Sequence, residues 1–289
     1  MKLAIVSGKG GTGKTSLAVS LALCAAGSES VSLLDCDAEE PDAHLLLHPV
    51  FDQEWPVNVL VPAINPKRCT GCGLCAQRCA FHALANVPPR PLLFPELCHG
   101  CGLCAALCPA SAITEIPRQA GTLRGGKANG IEFVQGRMAV GEGMSSPLIR
   151  AVLKKAKPSV LTIVDGPPGT SCPMVAAVED CDMAIIVTDP TPFGVHDLQL
   201  AVEALRKIRV PFAVVVNRAC GTADAGLHAW CVAEGISILG EIPEDRRIAE
   251  AYSRGIPLWD SRPDLQPVLR QILAQAKTLG RPDRPGGTP

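Results

Sequence analysis

The chain has 289 residues, with 27 basic and 28 acidic side chains that leave a net charge of -1 at pH 7. This balance gives no general field for nucleic acid or an anionic membrane, and the 3% of aromatic residues offers few platforms for stacking bases. We therefore expect no nucleic-acid partner. No apolar run approaches the length of a membrane span and no cleavage-site pattern opens the chain, so the sequence predicts a cytoplasmic protein without membrane insertion.

Short apolar runs alternate with helical patterns along most of the chain. The runs are Leu3–Val6, Val31–Leu34, Val160–Val164, Met183–Val187, Phe212–Val216 and Ile236–Leu239. Apolar residues recur at helical spacing in Thr15–Ala26, Leu148–Lys157, Val195–Ile208 and Leu265–Leu279. Unbroken apolar runs of this length are typical of strands covered on both faces, and the alternation predicts an α/β fold with a doubly wound, mostly parallel sheet.

The alternation stops between about Pro62 and Pro117, where Cys, Gly and Pro dominate. Two similar segments begin there at Cys69 and Cys98, 29 residues apart (98 minus 69). A duplicated half-module inserted in a host domain is the simplest explanation. We predict a discontinuous host domain over residues 1–60 and 118–280, an inserted small α+β domain of the bacterial ferredoxin type over 61–117, and a flexible tail over 281–289.

The segment after the first apolar run fits the phosphate-binding pattern G-x-x-x-x-G-K-[ST] at every position. It reads Gly8, Lys9, Gly10, Gly11, Thr12, Gly13, Lys14 and Thr15, and Ser16 follows. The glycines let backbone N–H groups close around phosphate oxygens, and the start of the next helix supplies positive potential. Lys14 is expected to reach the β- and γ-phosphates of ATP, and the Thr15 hydroxyl to bind Mg²⁺.

Both cysteine segments follow C-x₂-C-x₂-C-x₃-C, the run found in bacterial ferredoxins. Three closely spaced thiolates wrap one face of an iron cubane, and the fourth comes from the other repeat. Pro109 follows Cys108 as the pattern asks, whereas Ala80 follows Cys79, which weakens the turn near the second cluster. The pattern predicts two [4Fe–4S] clusters, one bound by Cys69, Cys72, Cys75 and Cys108 and the other by Cys79, Cys98, Cys101 and Cys104.

Two zinc sites are the main alternative for the same cysteines, since four thiolates also suit Zn²⁺. Zinc sites usually pair two C-x₂-C knuckles across a longer loop, whereas here three cysteines and then a fourth recur twice. The spacing favours iron–sulfur clusters. Structural disulfides are rare in a cytoplasmic chain, which also points to metal ligation.

The second lysine of the phosphate loop, Lys9, gives the loop a family resemblance. Lys-Gly-Gly-Thr-Gly-Lys resembles the deviant Walker A loop of the MinD/Mrp/nitrogenase-iron-protein group of P-loop ATPases. The resemblance covers about residues 1–50 and 120–280. It implies that Lys9 crosses a homodimer interface to touch the partner's nucleotide.

The same resemblance implies roles for residues that follow the predicted strands. Asp37, in Asp35-Cys36-Asp37, aligns with the aspartate that positions the attacking water, so Lys9, Lys14 and Asp37 are the candidate catalytic residues. Asp165-Gly-Pro-Pro-Gly169 looks like Walker B and switch II, in which Asp165 holds Mg²⁺ through water and Gly169 senses the γ-phosphate. The adenine-recognition loops correspond to Asn217, Arg218, Pro243, Glu244 and Asp245.

Cys172 lies seven residues after Asp165 (172 minus 165), where the nitrogenase iron protein has a cysteine that helps to hold a cluster across its dimer. Such a site needs a second cysteine in each subunit, and no obvious partner is present. A buried or interface thiol is therefore the expectation for Cys172.

Three functions are compatible with these motifs. The favoured one is an ATP-driven redox switch, in which nucleotide closes a dimer, hydrolysis reopens it, and two clusters pass electrons to a redox or iron–sulfur protein partner. The second is an iron–sulfur carrier or scaffold of the Mrp type, which eight cysteines in closed ferredoxin geometry disfavour. The third is a partner-recruiting organiser of the MinD or ParA type, although the polar, Pro-rich tail is unlike the membrane helix of MinD relatives.

Overall fold

A computed structural model of the chain describes residues 1–158, 160–221 and 225–280. Its strands are β1 Lys2–Ser7, β2 Val31–Asp35, β3 Val50–Ile64, β4 Leu84–Ala85, β5 Leu92–Leu93, β6 Ile113–Ala128, β7 Ile131–Met138, β8 Leu161–Pro168, β9 Met183–Thr188, β10 Phe212–Ala219 and β11 Ile238–Pro243. Its α-helices are α1 Lys14–Ala26, α2 Ala43–Leu47, α3 Leu74–Gln77, α4 Leu103–Ala106, α5 Ser146–Leu153, α6 Cys172–Val178, α7 Pro192–Ile208, α8 Ala225–Ala233, α9 Arg246–Tyr252, α10 Leu258–Ser261 and α11 Gln266–Leu279. None of the helices in these ranges has an apolar stretch long enough to cross a membrane. The predicted tail, residues 281–289, lies outside the described residues.

The main sheet has nine strands in the order β11-β10-β9-β1-β8-β2-β7-β6-β3. From β11 to β7 each strand runs parallel to its neighbours, whereas β6 runs antiparallel to both β7 and β3. Alternate residues of each parallel strand enter separate apolar clusters, one containing side chains of α5, α6 and α7 and the other those of α1 and α11. Helices therefore cover both faces of the sheet, and the predicted mostly parallel α/β architecture is confirmed.

All six predicted apolar runs overlap strands, but some boundaries differ. The last strand begins at Ile238 rather than Ile236, because the Ile236 N–H bonds the Cys231 carbonyl at the end of α8. The helix predicted over Leu148–Lys157 is α5, Ser146–Leu153, which starts earlier because a proline occupies its first turn.

Three strands at one edge of the sheet, β3, β6 and β7, were not predicted. β3 pairs with β6 from Val50↔Lys127 to Ile64↔Ile113, while β7 pairs with β6 only from Gly121 onward. The outer halves of β3 and β6 therefore extend beyond the sheet as a two-stranded ribbon. The predicted boundaries at residues 60/61 and 117/118 fall inside these two strands.

The end of the ribbon carries residues 65–112, here called the cysteine segment. The Asn65 N–H donates to the Ala112 carbonyl at 2.7 Å and closes its base. The short helices α3 and α4 occupy equivalent places in the two repeats, each after a glycine in the left-handed region, Gly73 at φ 73° and Gly102 at φ 71°. The duplicated sequence thus folds into duplicated local geometry.

Candidate functional site

The phosphate-binding loop lies between β1 and α1, at the carboxyl edge of the parallel sheet. Gly13 precedes α1 with φ 96°, and a Cβ there would stand 2.3 Å from Asn217 Nδ2, so a side chain has neither the conformation nor the room. Lys14 and Thr15 begin the helix and are largely buried. This is the strand–loop–helix setting that phosphate binding requires.

A cleft of about 380 Å³ opens in front of this loop. Its volume falls in the range of about 300–1,000 Å³ typical of small-molecule sites. The residues predicted for nucleotide binding or catalysis that line it are Gly10, Gly11, Gly13, Lys14, Thr15, Ser16, Asp37, Asn217, Arg218, Pro243, Glu244 and Asp245. Gly8, Lys9, Thr12 and Asp165 do not line the cleft.

Carboxylates gather where β2 and β8 end beside the loop. Asp35 and Asp165 are register partners on these adjacent parallel strands, and both are fully buried. With Asp42 they form a group whose closest oxygens all lie within 4.8 Å of one another. Burial raises the pKa of Asp35 well above its usual range, and the neighbouring Asp165 raises it further.

The carboxylate of Asp165 suits a bound cation. Burial raises the pKa of Asp165 to about 7, against the opposing charge of Lys14 and a hydrogen bond from the Thr15 hydroxyl. However, neither of the buried oxygens of Asp165 has a partner of ordinary hydrogen-bond length and angle among the described residues. Buried carboxylate oxygens without partners are costly, and oxygen ligands of this kind are those that Mg²⁺ prefers. The residues present therefore fit Mg²⁺, which Asp165 and Thr15 would hold.

The substitution Asp165→Asn is expected to stabilise the chain when Mg²⁺ and nucleotide are absent. The folded-state pKa of Asp165 lies above its unfolded value, so the free energy of unfolding falls as the pH rises from about 4 to about 7. At pH 8 the variant should gain on the order of 2 kcal/mol, or about 5 °C in the thermal midpoint, and at pH 4 little. Thermal unfolding with a chelator checks this. Asp52→Asn, at an exposed position, is the control, and an unchanged or lower midpoint at pH 8 contradicts the assignment.

Asp37 faces the cleft just beyond β2. Burial raises its pKa to about 6, while the charge of Lys14 acts in the opposite direction. Asp35 fixes the backbone here, because its carboxylate accepts from the Asp37 N–H at 3.1 Å and from the Ala43 N–H at 3.2 Å. Asp37 is thus held at the cleft by a buried neighbour.

The opposite wall of the cleft comes from the ends of β10 and β11 and from α9. Asn217 Nδ2 donates to the Thr12 carbonyl at 2.7 Å and Arg218 Nη2 to the Gly11 carbonyl at 3.1 Å, so both side chains brace the phosphate loop. Asp245 caps α9 through the Arg247 N–H and pairs with Arg262 at 2.6 Å. The carboxylate of Asp245 is therefore engaged in holding α9 in place.

Several cleft residues were missed by sequence reasoning, among them Asp42 and Tyr252. The Tyr252 hydroxyl, on α9, donates to Asp42 Oδ2 at 3.0 Å and connects the two walls. These residues are far apart along the chain, and neither stands in a phosphate-binding pattern. A weak signal for Asp42 was its position soon after the acidic end of β2.

The predicted signature lysine points away from its own cleft. Lys9 Nζ lies 2.9 Å from Asp189 Oδ2 and 3.5 Å from Thr191 Oγ1, at the start of α7. Burial alone would raise the pKa of Asp189, but the hydrogen bonds from Thr191 and Lys9 outweigh it and hold that pKa below its usual range. Within a single chain, Lys9 is therefore an ion-pair partner and does not reach the nucleotide cleft.

Two cavities in the cysteine segment are lined by the eight clustered cysteines. One cavity is lined by Cys69, Cys72, Cys75 and Cys108. The other is lined by Cys79, Cys98, Cys101 and Cys104, and Cys75 also borders it. Each cavity therefore takes three cysteines from one repeat and the fourth from the other.

The spacing of these sulfurs bears on the choice between a single ion and a cluster. Tetrahedral Zn²⁺ with Zn–S bonds of about 2.3 Å needs sulfurs about 3.8 Å apart. Within residues 1–158, 160–221 and 225–280, the group of three or more possible ligands that all lie within 4.8 Å consists of Asp35, Asp42 and Asp165 and includes no cysteine. Iron–sulfur clusters at these cysteines stay a prediction.

Cys172 and Gly169 lie in the segment that follows β8. Cys172 begins α6 and is exposed in the single chain, so it is not buried there. The Gly169 N–H donates to the Ser7 carbonyl at 3.0 Å, beside the phosphate loop. Pro168 lines the cleft, but Gly169 does not.

A family model described as the CobQ/CobB/MinD/ParA nucleotide binding domain matches residues 3–258. The chain belongs to this family. The uncharacterized protein MJ0578 of Methanocaldococcus jannaschii is 31% identical over 287 residues, with 96% of each chain covered. The iron–sulfur cluster carrier protein of Pyrococcus horikoshii is 34% identical over 110 residues, which cover 33% of this chain and 37% of the carrier.

Among solved structures, the septum site-determining protein MinD of Pyrococcus horikoshii, complexed with Mg-ADP, matches with a TM-score of 0.60 and 18% identity over 96% of each chain. This likeness shows the fold. The predicted resemblance to MinD/Mrp-type P-loop ATPases is thus confirmed at the level of family and fold, and the chain is a nucleotide-binding P-loop protein. The inserted ferredoxin domain and its clusters stay predictions.

Proposed function

We propose that this protein is an ATP-hydrolysing iron–sulfur switch, in which nucleotide controls a homodimer and two [4Fe–4S] clusters carry electrons. The observation that carries the proposal is the pairing of two sites in one chain. A phosphate-loop cleft lies at the sheet edge beside the buried carboxylate of Asp165, and eight cysteines surround two cavities at the end of the ribbon.

At the nucleotide site each residue has a separate task. Lys14 neutralises the β- and γ-phosphates. Thr15 and Asp165 would hold Mg²⁺, which when bound would neutralise charge that develops on the phosphate oxygens. Asp37, at the cleft with its pKa raised to about 6, accepts a hydrogen bond from the attacking water and orients it. Asn217 and Arg218 hold the phosphate loop through hydrogen bonds to its carbonyls. The cleft residues at the end of β11 and on α9 enclose the adenine base of the nucleotide.

In the cysteine segment, the protein's task is to hold and insulate the clusters. Cys69, Cys72, Cys75 and Cys108 would hold one cluster, and Cys79, Cys98, Cys101 and Cys104 the other. Bound clusters supply one-electron redox chemistry, with potentials set by hydrogen bonds to sulfur and by exposure. Cys75 borders both cavities, which supports electron transfer between neighbouring clusters.

The substitution Lys9→Ala is expected to leave MgATP binding intact and to abolish nucleotide-dependent dimerisation and hydrolysis. Lys9 pairs with Asp189 in the single chain, so its charge is available to a partner's nucleotide only after this ion pair opens. Light scattering with a non-hydrolysable ATP analogue measures the dimer, and calorimetry measures binding. Lys207→Ala, which removes an exposed ion pair with Glu203, is the control. A variant that still dimerises with nucleotide would exclude the role in the partner's site.

Anaerobic purification followed by iron and sulfide analysis tests the proposal as a whole. We expect about eight iron atoms and eight sulfides per chain, an EPR signal after reduction, and MgATP binding by the same preparation. Zinc in place of iron, or a preparation that binds clusters but not nucleotide, would contradict it.

A cluster carrier is the second candidate function, favoured by the partial match to the Pyrococcus horikoshii carrier protein. Transfer calls for labile clusters on few exposed cysteines, whereas eight thiols around two cavities argue for resident clusters. Incubation with an apo-ferredoxin separates the two functions. Iron retained by this protein supports the redox switch, and iron lost to the acceptor supports the carrier.

A further inference from the structure

Residues 139–145, between β7 and α5, form a loop that contacts the nucleotide-site segment after β2. The N–H of Met138, the last residue of β7 before this loop, donates to the Ala38 carbonyl at 3.0 Å. Ser145 Oγ, at its end, donates to Glu39 Oε1 at 3.4 Å. Ala38 and Glu39 directly follow Asp37 in the chain. The loop is therefore bonded at both ends to the segment that carries the proposed water-positioning aspartate.

The same loop contacts the ribbon that carries the cysteine segment. The Ala139 N–H donates to the Ala120 carbonyl at 2.9 Å, on β6. Glu142 Oε2 lies 2.7 Å from Nη1 of Arg118, also on β6, and the Glu142 side chain is only 1% exposed. Beyond Arg118, β6 runs directly to the cysteine segment at Ala112.

The loop also approaches the cysteine segment itself. A Cβ on Gly143 would stand 3.6 Å from the carbonyl oxygen of Glu96, two residues before Cys98. Ala38 and Cys98 belong to one buried apolar cluster, together with Val57, Val59 and Val61 of β3. Contacts are thus continuous from the nucleotide segment to a cysteine of the second group.

We propose that residues 139–145 couple nucleotide occupancy to the clusters, with the ion pair between the buried Glu142 and the partly exposed Arg118 as the connection between the loop and the ribbon. This inference rests on the proposed function. When Asp37 and Glu39 move around a bound γ-phosphate, the loop moves with them, because it is hydrogen-bonded to this segment at Ala38 and through Ser145. The loop then shifts β6 through Arg118 and Ala120, and with it the surroundings of the clusters.

The Arg118–Glu142 pair suits this role because it is incompletely bonded. Both carboxylate oxygens of Glu142 and the Nε and Nη2 atoms of Arg118 have no hydrogen-bond partner within the described part of the chain, so the 2.7 Å contact between Oε2 and Nη1 is an ion pair without hydrogen-bond geometry. A fully bonded buried pair would fix one geometry, whereas this one keeps donors and acceptors free to change partners. Removing one partner would leave a buried charge uncompensated, but replacing both with apolar side chains leaves none.

The experiment compares nucleotide affinity in two redox states, because coupling between two sites is reciprocal. The dissociation constant of a non-hydrolysable MgATP analogue is measured anaerobically for oxidised and dithionite-reduced protein. We expect the two values to differ about fivefold or more in the wild type, and to become equal in Arg118→Met/Glu142→Met. The control is Glu132→Met/Lys157→Met, which removes an ion pair of 2.6 Å between β7 and Lys157, away from the loop. Ser145→Ala, with β6 untouched, should reduce the ratio while keeping cluster content.

One result would overturn the inference alone: a double variant that retains the wild-type ratio. A wild type with clusters and nucleotide bound but equal affinities in both redox states would overturn the inference together with the nucleotide control of the proposed switch. A wild type without clusters, or without nucleotide binding, would instead overturn the proposed function, and this inference with it.

Discussion

The substitution Lys14→Gln is expected to lower ATP hydrolysis about a thousandfold, because removal of one donor to the charge that develops in the transition state has an effect of this size. Lys14 is 6% exposed at the start of α1 and is the cation that acts on both Asp37 and Asp165. Without it these carboxylates hold their protons more tightly, so Mg²⁺ and the attacking water also lose their partners. Phosphate release under saturating MgATP measures the effect.

Lys207→Gln is the control for this experiment, since Lys207 pairs with Glu203 on the exposed face of α7. Its hydrolysis should equal that of the wild type. If Lys14→Gln retained most of the activity, the cleft in front of the phosphate loop would not be the hydrolytic site.

The substitution Cys108→Ala is expected to remove one cluster and leave the other. Cys108 shares a cavity with Cys69, Cys72 and Cys75, although it belongs to the second repeat. Iron content should fall from about eight to about four atoms per chain. Iron analysis and EPR of the reduced protein measure the loss.

The residual EPR spectrum identifies which cluster is lost. Cys108→Ala should leave the same spectrum as Cys69→Ala, and Cys79→Ala the same spectrum as Cys98→Ala. Cys220→Ala, at an exposed thiol outside the cysteine segment, is the control. If Cys108→Ala instead matched Cys98→Ala, each repeat would bind its own cluster and the crossed ligation would be wrong.

The sequence predicted the parts of the fold that depend on patterns within one short continuous segment. The phosphate loop with its flanking strand and helix is one continuous segment, and the parallel strands are unbroken apolar runs because both of their faces are covered. β3 and β6 escaped prediction for the opposite reason. β3 is the edge strand and β6 lies next to it, and each has one face largely in solvent, so they tolerate the prolines and glycines that the sequence shows there, among them Pro56 and Gly125.

The parts of the site that the sequence could not predict depend on contacts between distant residues. Tyr252 meets Asp42 across 210 positions, and Lys9 meets Asp189 across 180. The division of cysteines between two cavities was predictable because the repeat itself encodes it. The contacts of Glu142 were not, since a single acidic residue in a loop carries no pattern that specifies a buried partner.

The measurement that tests the central claim most directly compares the two sites in one anaerobic preparation. ATP hydrolysis is recorded with the clusters oxidised and then reduced, and the EPR signal of the reduced clusters is recorded with and without MgATP. A nucleotide-gated iron–sulfur switch predicts that the hydrolysis rate changes with redox state and that MgATP alters the cluster signal. Equal rates in both states, together with a cluster signal that MgATP leaves unchanged, would contradict it.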